Sequence, residues 1–293
     1  MRKFNIKTQI RSLYALTTAG YFQIAGASWV ALLALRGFSL LEIGMLESIF
    51  HVVSSCFEIP SGVVADVFGR KRTMVLSRLV NLASSIFMIV SADFWMVAFA
   101  IGLNAISYNL ESGTREALAY DSLKAVGQEE KYNRFASMEM MLYRVTNSVA
   151  TLCAGLALGL GYKKAYAVDI FFCLIAAGIA CSLKEVQTET MPAGNLQEDN
   201  RKKGDQLKSV IRESWYFLTT NRRARYIMIL NAVIGAISTL VLFFLQAKIP
   251  MAGLDKAFLG PALFVMGLGA ALGAKVVEYF PKWRYGKYII LSG

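Results

Sequence analysis

Charged side chains stand inside several long apolar stretches of this sequence, at spacings that place them on one face of a helix. Glu47, His51 and Glu58 follow one another at helical offsets, and Glu111 lies one helical turn before Arg115. A carboxylate among apolar groups can take up a proton, and opposite charges one turn apart can form an ion pair. These residues therefore predict proton binding or polar-solute binding inside a helical assembly. The alternative is that the charges only join the helices.

The same spacing marks further polar residues as candidates for a shared cavity. The first apolar stretch contributes Tyr21, and the fourth contributes Asn104 and Tyr108. Either charged residue of the fourth stretch can pair with its neighbour one turn away, or with Arg144 or Glu139 of the fifth stretch. The candidates for substrate binding or proton coupling are Tyr21, Glu47, His51, Glu58, Asn104, Tyr108, Glu111, Arg115, Arg144, Asn231 and Ser238.

Catalytic and metal-binding patterns are missing from the sequence. The single histidine, His51, has neither an HExxH context nor a nearby nucleophile. The four cysteines fall within apolar stretches and lack the spacing of a metal site. We therefore expect no enzyme, no metal and no bound cofactor.

The composition indicates that these residues are positioned by membrane helices. The chain has 293 residues, of which 56% are hydrophobic and 17% charged, whereas soluble domains have about 25% charged residues. A bilayer core needs about 20 apolar residues per helix. The sequence predicts an all-α membrane protein with spans at 12–35, 40–63, 74–91, 94–118, 136–160, 165–183, 225–247 and 256–280, and a ninth beginning near 286.

The formal net charge of +11 follows from the distribution of basic residues between the spans. If the N-terminus is cytoplasmic, most Lys and Arg residues fall on the cytoplasmic side, including Arg78 and the basic run after the second span. This bias sets orientation by the positive-inside rule. We expect a multi-pass protein of the plasma membrane that contacts lipid and a small-molecule substrate, and no nucleic acid.

The spans form two groups, separated by a polar connection. We predict a six-helix bundle at 1–183, a cytoplasmic linker at 184–223 and a partial second bundle at 224–293. Within the linker, apolar residues at helical spacing between 207 and 217 favour either an amphipathic surface helix or an extension of the seventh span.

A short motif, GVVADVFGRKR, joins the second and third spans. Gly62 permits close helix approach, and Gly69 permits a backbone conformation that other residues resist. Arg70, Lys71 and Arg72 form a cytoplasmic anchor. Asp66 lies at a helix C-terminus, where a negative charge is unfavourable without a partner, so it is a candidate latch.

This motif resembles the signature loop of the major facilitator superfamily, G-x-x-x-D-R-x-G-R-[KR]-[KR], with Val67 where the family often has Arg. The resemblance implies two six-helix halves that rock about a central site. The second half is expected to be incomplete here and to lack its last helices. The resemblance also implies that the loop joins a cytoplasmic charge cluster, and Glu116 and Asp121 occupy the matching position.

Together these features predict a secondary active transporter of a small solute. Proton-coupled efflux of an amphipathic or drug-like compound is the leading interpretation, with the proton gradient as the energy source. The alternatives are an uptake permease of the same fold and a non-transporting sensor or assembly protein. The sequence names neither the substrate nor the oligomeric state.

Overall fold

The computed structural model describes residues 5–186, 216, 219–253 and 255–266. These residues form helices joined by short connections, with no strand among them. One compact unit comprises Met1–Val186 and Leu245–Leu272, and a second comprises Gln187–Phe244 and Gly273–Gly293. The predicted domain limits at 183 and 223 remain predictions, because most of the linker lies outside the described residues.

The predicted first span consists of three helices rather than one. These are α1 (Ile6–Tyr21), α2 (Ile24–Ala27) and α3 (Trp29–Leu35). Gln23 is extended, with φ −124° and ψ 100°, and Ser28 interrupts the chain again. A break in an apolar setting leaves backbone N–H groups that need partners from elsewhere in the protein.

The second and third spans meet at a single non-helical residue. Helix α4 (Leu40–Phe68) begins with a capping box, in which Ser39 and Glu42 each bond the other's backbone N–H. Helix α5 (Arg70–Val90) follows after Gly69, whose φ is +90°. The predicted tight loop is therefore mostly helical.

The next two predicted spans are also interrupted. The fourth forms α6 (Phe94–Glu111) and α7 (Thr114–Lys124), and the fifth forms α8 (Tyr132–Leu152) and α9 (Ala154–Leu160). The sixth is a continuous helix, α10 (Tyr162–Ser182).

Helix α11 (Arg222–Met251) contains the predicted seventh span, and residues 259–266 begin a further helix. The remainder of the predicted eighth span and the start of the ninth lie outside the described residues. So does the predicted amphipathic segment 207–217, apart from Tyr216.

Within the described residues, four helices are long and apolar enough to cross a membrane, namely Leu40–Phe68, Arg70–Val90, Tyr162–Ser182 and Arg222–Lys248. In the first unit, α5 packs against α6 and α10, and α1 packs against α8 and α10. Large apolar side chains such as Trp95 and Phe171 are exposed on its outer surface, as expected where lipid is the solvent. Polar side chains such as Ser77 and Asn81 are buried inside, so the interior of this bundle is where a functional site can lie.

Candidate functional site

Four charged side chains from four helices form a chain of ion pairs in the interior of the first unit. Arg78 of α5 pairs with Glu111 of α6, and Glu111 Oε1 accepts a hydrogen bond from Arg115 Nη1 of α7 at 2.9 Å. Arg115 Nε in turn contacts Glu139 of α8. Each of the four residues is at most 7% exposed. We call this group the ion-pair chain.

Helix α1 completes the ion-pair chain with uncharged groups. The Thr17 hydroxyl donates to Glu139 Oε1 at 3.2 Å, and the Arg115 guanidinium lies 5.3 Å from the ring centroid of Tyr21. Two positive and two negative charges balance, and their mutual attraction offsets the loss of hydration. The arrangement therefore joins five helices without leaving a net buried charge.

Sequence reasoning named three of the four residues of the ion-pair chain as possible partners. The structure contains the Glu111–Arg115 pair, and Arg115 takes Glu139 as a second partner. Arg78, expected near the cytoplasmic surface, is instead buried in α5. The sequence feature that could have marked Arg78 as buried is its position as a lone basic residue among mostly apolar ones. The structure adds that the same helix buries several serines.

A cavity of about 310 Å³ lies beside the ion-pair chain, and Tyr21 borders both. Three of the predicted cavity residues, Tyr21, Glu47 and Asn104, line it. No Lys or Arg is among its lining residues in the part of the chain that the structure describes. The lining consists of Tyr21, Gln23, Gly26, Ala27, Trp29, Glu47, Phe50, Ser84, Ser85, Met88, Ile101, Asn104, Asn147, Tyr166 and Asp169.

Asp169 of α10 is a cavity carboxylate that sequence reasoning missed, because the sixth span has few polar residues. Its Oδ1 accepts the N–H of Ala25 at 3.2 Å, and its Oδ2 accepts the N–H of Gly26 at 2.9 Å. These are donors at the start of α2, which the break in the first span leaves unpaired. Asp169 thus stabilises the broken backbone while bordering the cavity.

Glu47, the other carboxylate of the cavity, has a different environment. His51 Nε2 lies 3.3 Å from Glu47 Oε1, one turn along α4. The His51 side chain is 68% exposed and is not part of the cavity wall. The residues of the predicted polar face of α4 therefore have different environments: Glu47 lines the cavity, whereas His51 is exposed on the surface.

Several other predicted residues are not among those that line the cavity. Glu58, Tyr108 and Arg144 are exposed on the surface of the first unit. Ser238 is exposed on α11, in the part of that helix that belongs to the second unit. The side chain of Asn231 lies outside the described residues. Glu111 and Arg115 belong to the ion-pair chain rather than to the cavity wall.

A second polar cluster surrounds the start of α5. Arg70 pairs with Asp121 of α7, and Arg70 Nη1 donates to the carbonyl of Ala117 at 2.5 Å. The carboxylate of Glu185, just after α10, accepts the backbone N–H groups of Arg70 and Lys71, each at 2.9 Å. We call Arg70, Asp121 and Glu185 the α5 cap cluster. Glu185 was not anticipated, because it lies 115 positions from Arg70.

The remaining motif residues make fewer contacts. Asp66 and Arg72 are exposed, and Asp66 has no ion pair among the described residues. Glu116 lies 3.8 Å from Arg115, so it borders the ion-pair chain rather than the α5 cap cluster. A side chain at Gly62 would meet nothing within 4 Å, so the predicted close helix approach there is absent among the described residues.

The sequence profile of the Major Facilitator Superfamily matches residues 12–293. The chain belongs to this superfamily. A crystal structure of a mutant of the peptide transporter POT is similar, with a TM-score of 0.50 and 12% identity, over 83% of this chain and 57% of that chain. No protein of curated description matches significantly.

The family and the fold confirm the predicted all-α membrane bundle, and they are those of transporters rather than enzymes. At 12% identity the likeness to the peptide transporter shows the fold alone. The chain spans 57% of the length of that transporter.

Proposed function

We propose that this chain acts in a secondary active transporter that carries a small amphipathic solute across the plasma membrane by alternating access. Proton-driven efflux is the mode that we favour, with the N-terminus in the cytoplasm. The proton gradient supplies the energy, in place of a bound cofactor. The cavity carries the proposal, because it combines carboxylates, amides and aromatic rings inside a bundle of this superfamily.

The cavity wall suits a solute with an apolar body and a polar end. Trp29, Phe50 and Met88 offer apolar surface, whereas Asn104 and Asn147 offer hydrogen-bonding amides. Ligand sites are commonly clefts of roughly 300–1,000 Å³ with a few polar groups that fix orientation. At about 310 Å³ the cavity fits a small molecule.

Glu47 is the best candidate among the predicted carboxylates for carrying the coupled proton. It borders the cavity, where water and solute can reach it. Glu111, the other candidate, contacts both Arg78 and Arg115, and protonating it would weaken two buried ion pairs. Glu111 therefore suits a structural role, and Glu47 suits a proton carrier.

Contacts at both ends of the first unit support a body that moves as one piece. At one end, the α5 cap cluster joins α5 to α7 and to Glu185, which follows α10. At the other, Arg36 donates to the Ser91 side chain and carbonyl, at 3.1 Å and 2.6 Å, and lies 4.2 Å from the ring centroid of Tyr162. Alternating access by rocking requires such a rigid half.

The proposal is tested with the full chain in everted membrane vesicles, using the fluorescent cation ethidium as the probe. We expect accumulation that requires a proton gradient and stops when a protonophore collapses it. Glu47→Gln should abolish this accumulation, because the amide cannot exchange a proton. The matched control is Glu130→Gln, which alters an exposed carboxylate before α8 and should leave accumulation unchanged.

Accumulation that ignores the protonophore and survives Glu47→Gln would refute proton coupling through this residue. Gradient-driven movement only in the opposite vesicle orientation would instead support the uptake permease.

A further inference from the structure

Asp169 is a buried carboxylate without a cationic side-chain partner in the described part of the chain. It is 3% exposed, and its only hydrogen bonds there come from backbone N–H groups at the start of α2. Arg78 of the adjoining helix α5 is paired with Glu111. Among the described residues, the charge of Asp169 is therefore balanced only by peptide dipoles.

Peptide dipoles from a four-residue helix offset only part of the cost of a buried charge. Ionisable residues at bilayer depth are usually paired or face a cavity that admits their partner. Asp169 faces a cavity, and no Lys or Arg of the described residues lines it. The missing positive charge can therefore come from a molecule inside the cavity.

The surroundings of Asp169 favour a cation with an apolar body. Tyr166, one turn away on α10, lines the same cavity, as do Tyr21 and Trp29. Aromatic faces attract cations, most strongly where water is excluded. Gln23 adds an amide at the same wall, which can orient a polar group.

We propose that Asp169 is the counter-ion for one cationic group of the transported solute, so that the solute class is a monocationic amphipathic compound such as a quaternary or protonated amine. This inference rests on the proposed function and deepens it. Glu47 is a weaker counter-ion, because His51 lies 3.3 Å away and the Glu47 side chain is 25% exposed.

The test measures equilibrium binding to the purified full chain in detergent, without any gradient. The probe is benzyltrimethylammonium, which carries a permanent charge, and the comparison is benzyldimethylamine N-oxide, which has a similar shape and no net charge. Asp169→Asn should weaken binding of the cation roughly thirtyfold or more, the usual loss when one partner of a buried charge pair is removed. Binding of the N-oxide should change little.

The control for this variant is Glu130→Gln, which should bind both probes as the unaltered chain does. Asparagine retains an oxygen that accepts the N–H of Gly26, so the start of α2 keeps part of its cap. If Asp169→Asn fails to fold, the unaltered chain still tests the proposal, because it should prefer the cation over the N-oxide.

Equal affinity of the unaltered chain for the two probes would overturn the inference, and so would undiminished cation binding by Asp169→Asn. Cation binding that depends on Asp169, without proton-driven ethidium transport, would support the inference and refute the proposed function. Proton-driven ethidium transport together with cation binding that does not depend on Asp169 would support the proposed function and overturn the inference.

Discussion

Arg115 contacts two buried carboxylates at once, and this double contact makes the ion-pair chain a unit rather than a set of separate pairs. Its Nη1 bonds Glu111 and its Nε contacts Glu139. Arg78 and Glu139 are the two ends, so removing either one leaves a net charge in the interior. Removing both leaves the neutral Glu111–Arg115 pair.

This arrangement predicts non-additive losses of stability. Glu139→Gln or Arg78→Met alone should lower the free energy of unfolding by about 3 kcal/mol, because each leaves a buried charge uncompensated. The double variant should lose clearly less than the sum of the two, since close residues in one network couple. Unfolding of the purified chain in mixed micelles measures these values.

The control for this series is Glu58→Gln, which neutralises an exposed carboxylate on α4 and should change stability by no more than about 0.5 kcal/mol. Strictly additive losses would show that Arg78 and Glu139 do not act through a common chain.

At the scale of elements, Gly69 determines where α4 ends and α5 begins. Its φ of +90° is rarely adopted by residues with a side chain, and a Cβ there would lie 2.9 Å from Glu185 Oε2. Gly62 is only seven residues away, but it is helical and has open space around it. The two glycines of one motif therefore have opposite structural requirements.

Alanine substitutions should separate these requirements. Gly69→Ala should lower the free energy of unfolding by roughly 1–2 kcal/mol or more, because of backbone strain and the clash with Glu185. Gly62→Ala should leave stability unchanged or raise it by up to about 1 kcal/mol, since alanine is the better helix former. Chemical unfolding of both variants measures these changes. Equal changes in the free energy of unfolding for the two substitutions would contradict the prediction.

The sequence predicted where apolar helices lie but not where they break. Eight apolar stretches follow from bilayer thickness, and every described helix of eighteen residues or more overlaps one of them. The break at Gln23 depends on Asp169, which is 144 positions from Ala25. A contact between residues so far apart in the chain leaves no pattern in the local sequence around either of them.

The lack of a local pattern for long-range contacts also explains why only some of the cavity residues were predicted from the sequence. Periodicity identified Tyr21, Glu47 and Asn104, because each lies on a polar helix face that turns toward the cavity. It also selected His51, which lies on the outer part of such a face. Arg78 is the only charged residue of α5 after Arg72, and Asp169 is the only one of α10 after Lys164, so neither belongs to a charged pattern that periodicity could detect.

At the scale of the whole molecule, the basic residues predict how the chain is oriented. The α5 cap cluster should then face the cytoplasm, together with the exposed side chain of Arg72. In a chain whose native cysteines are replaced by serine or alanine, Arg72→Cys should react with a membrane-impermeant maleimide only when the reagent reaches the cytoplasmic side. Labelling from outside intact cells would contradict the orientation.

The ion-pair chain has one electrical consequence for such a molecule. Moving an elementary charge through the membrane potential involves about 2.3 kcal/mol per 100 mV. The two arginines and two glutamates of the chain sum to zero, so a voltage does no net work on them when they shift together. If the chain transports a cation as proposed, the voltage dependence of the cycle must arise elsewhere, in the two cavity carboxylates and the charge of the solute.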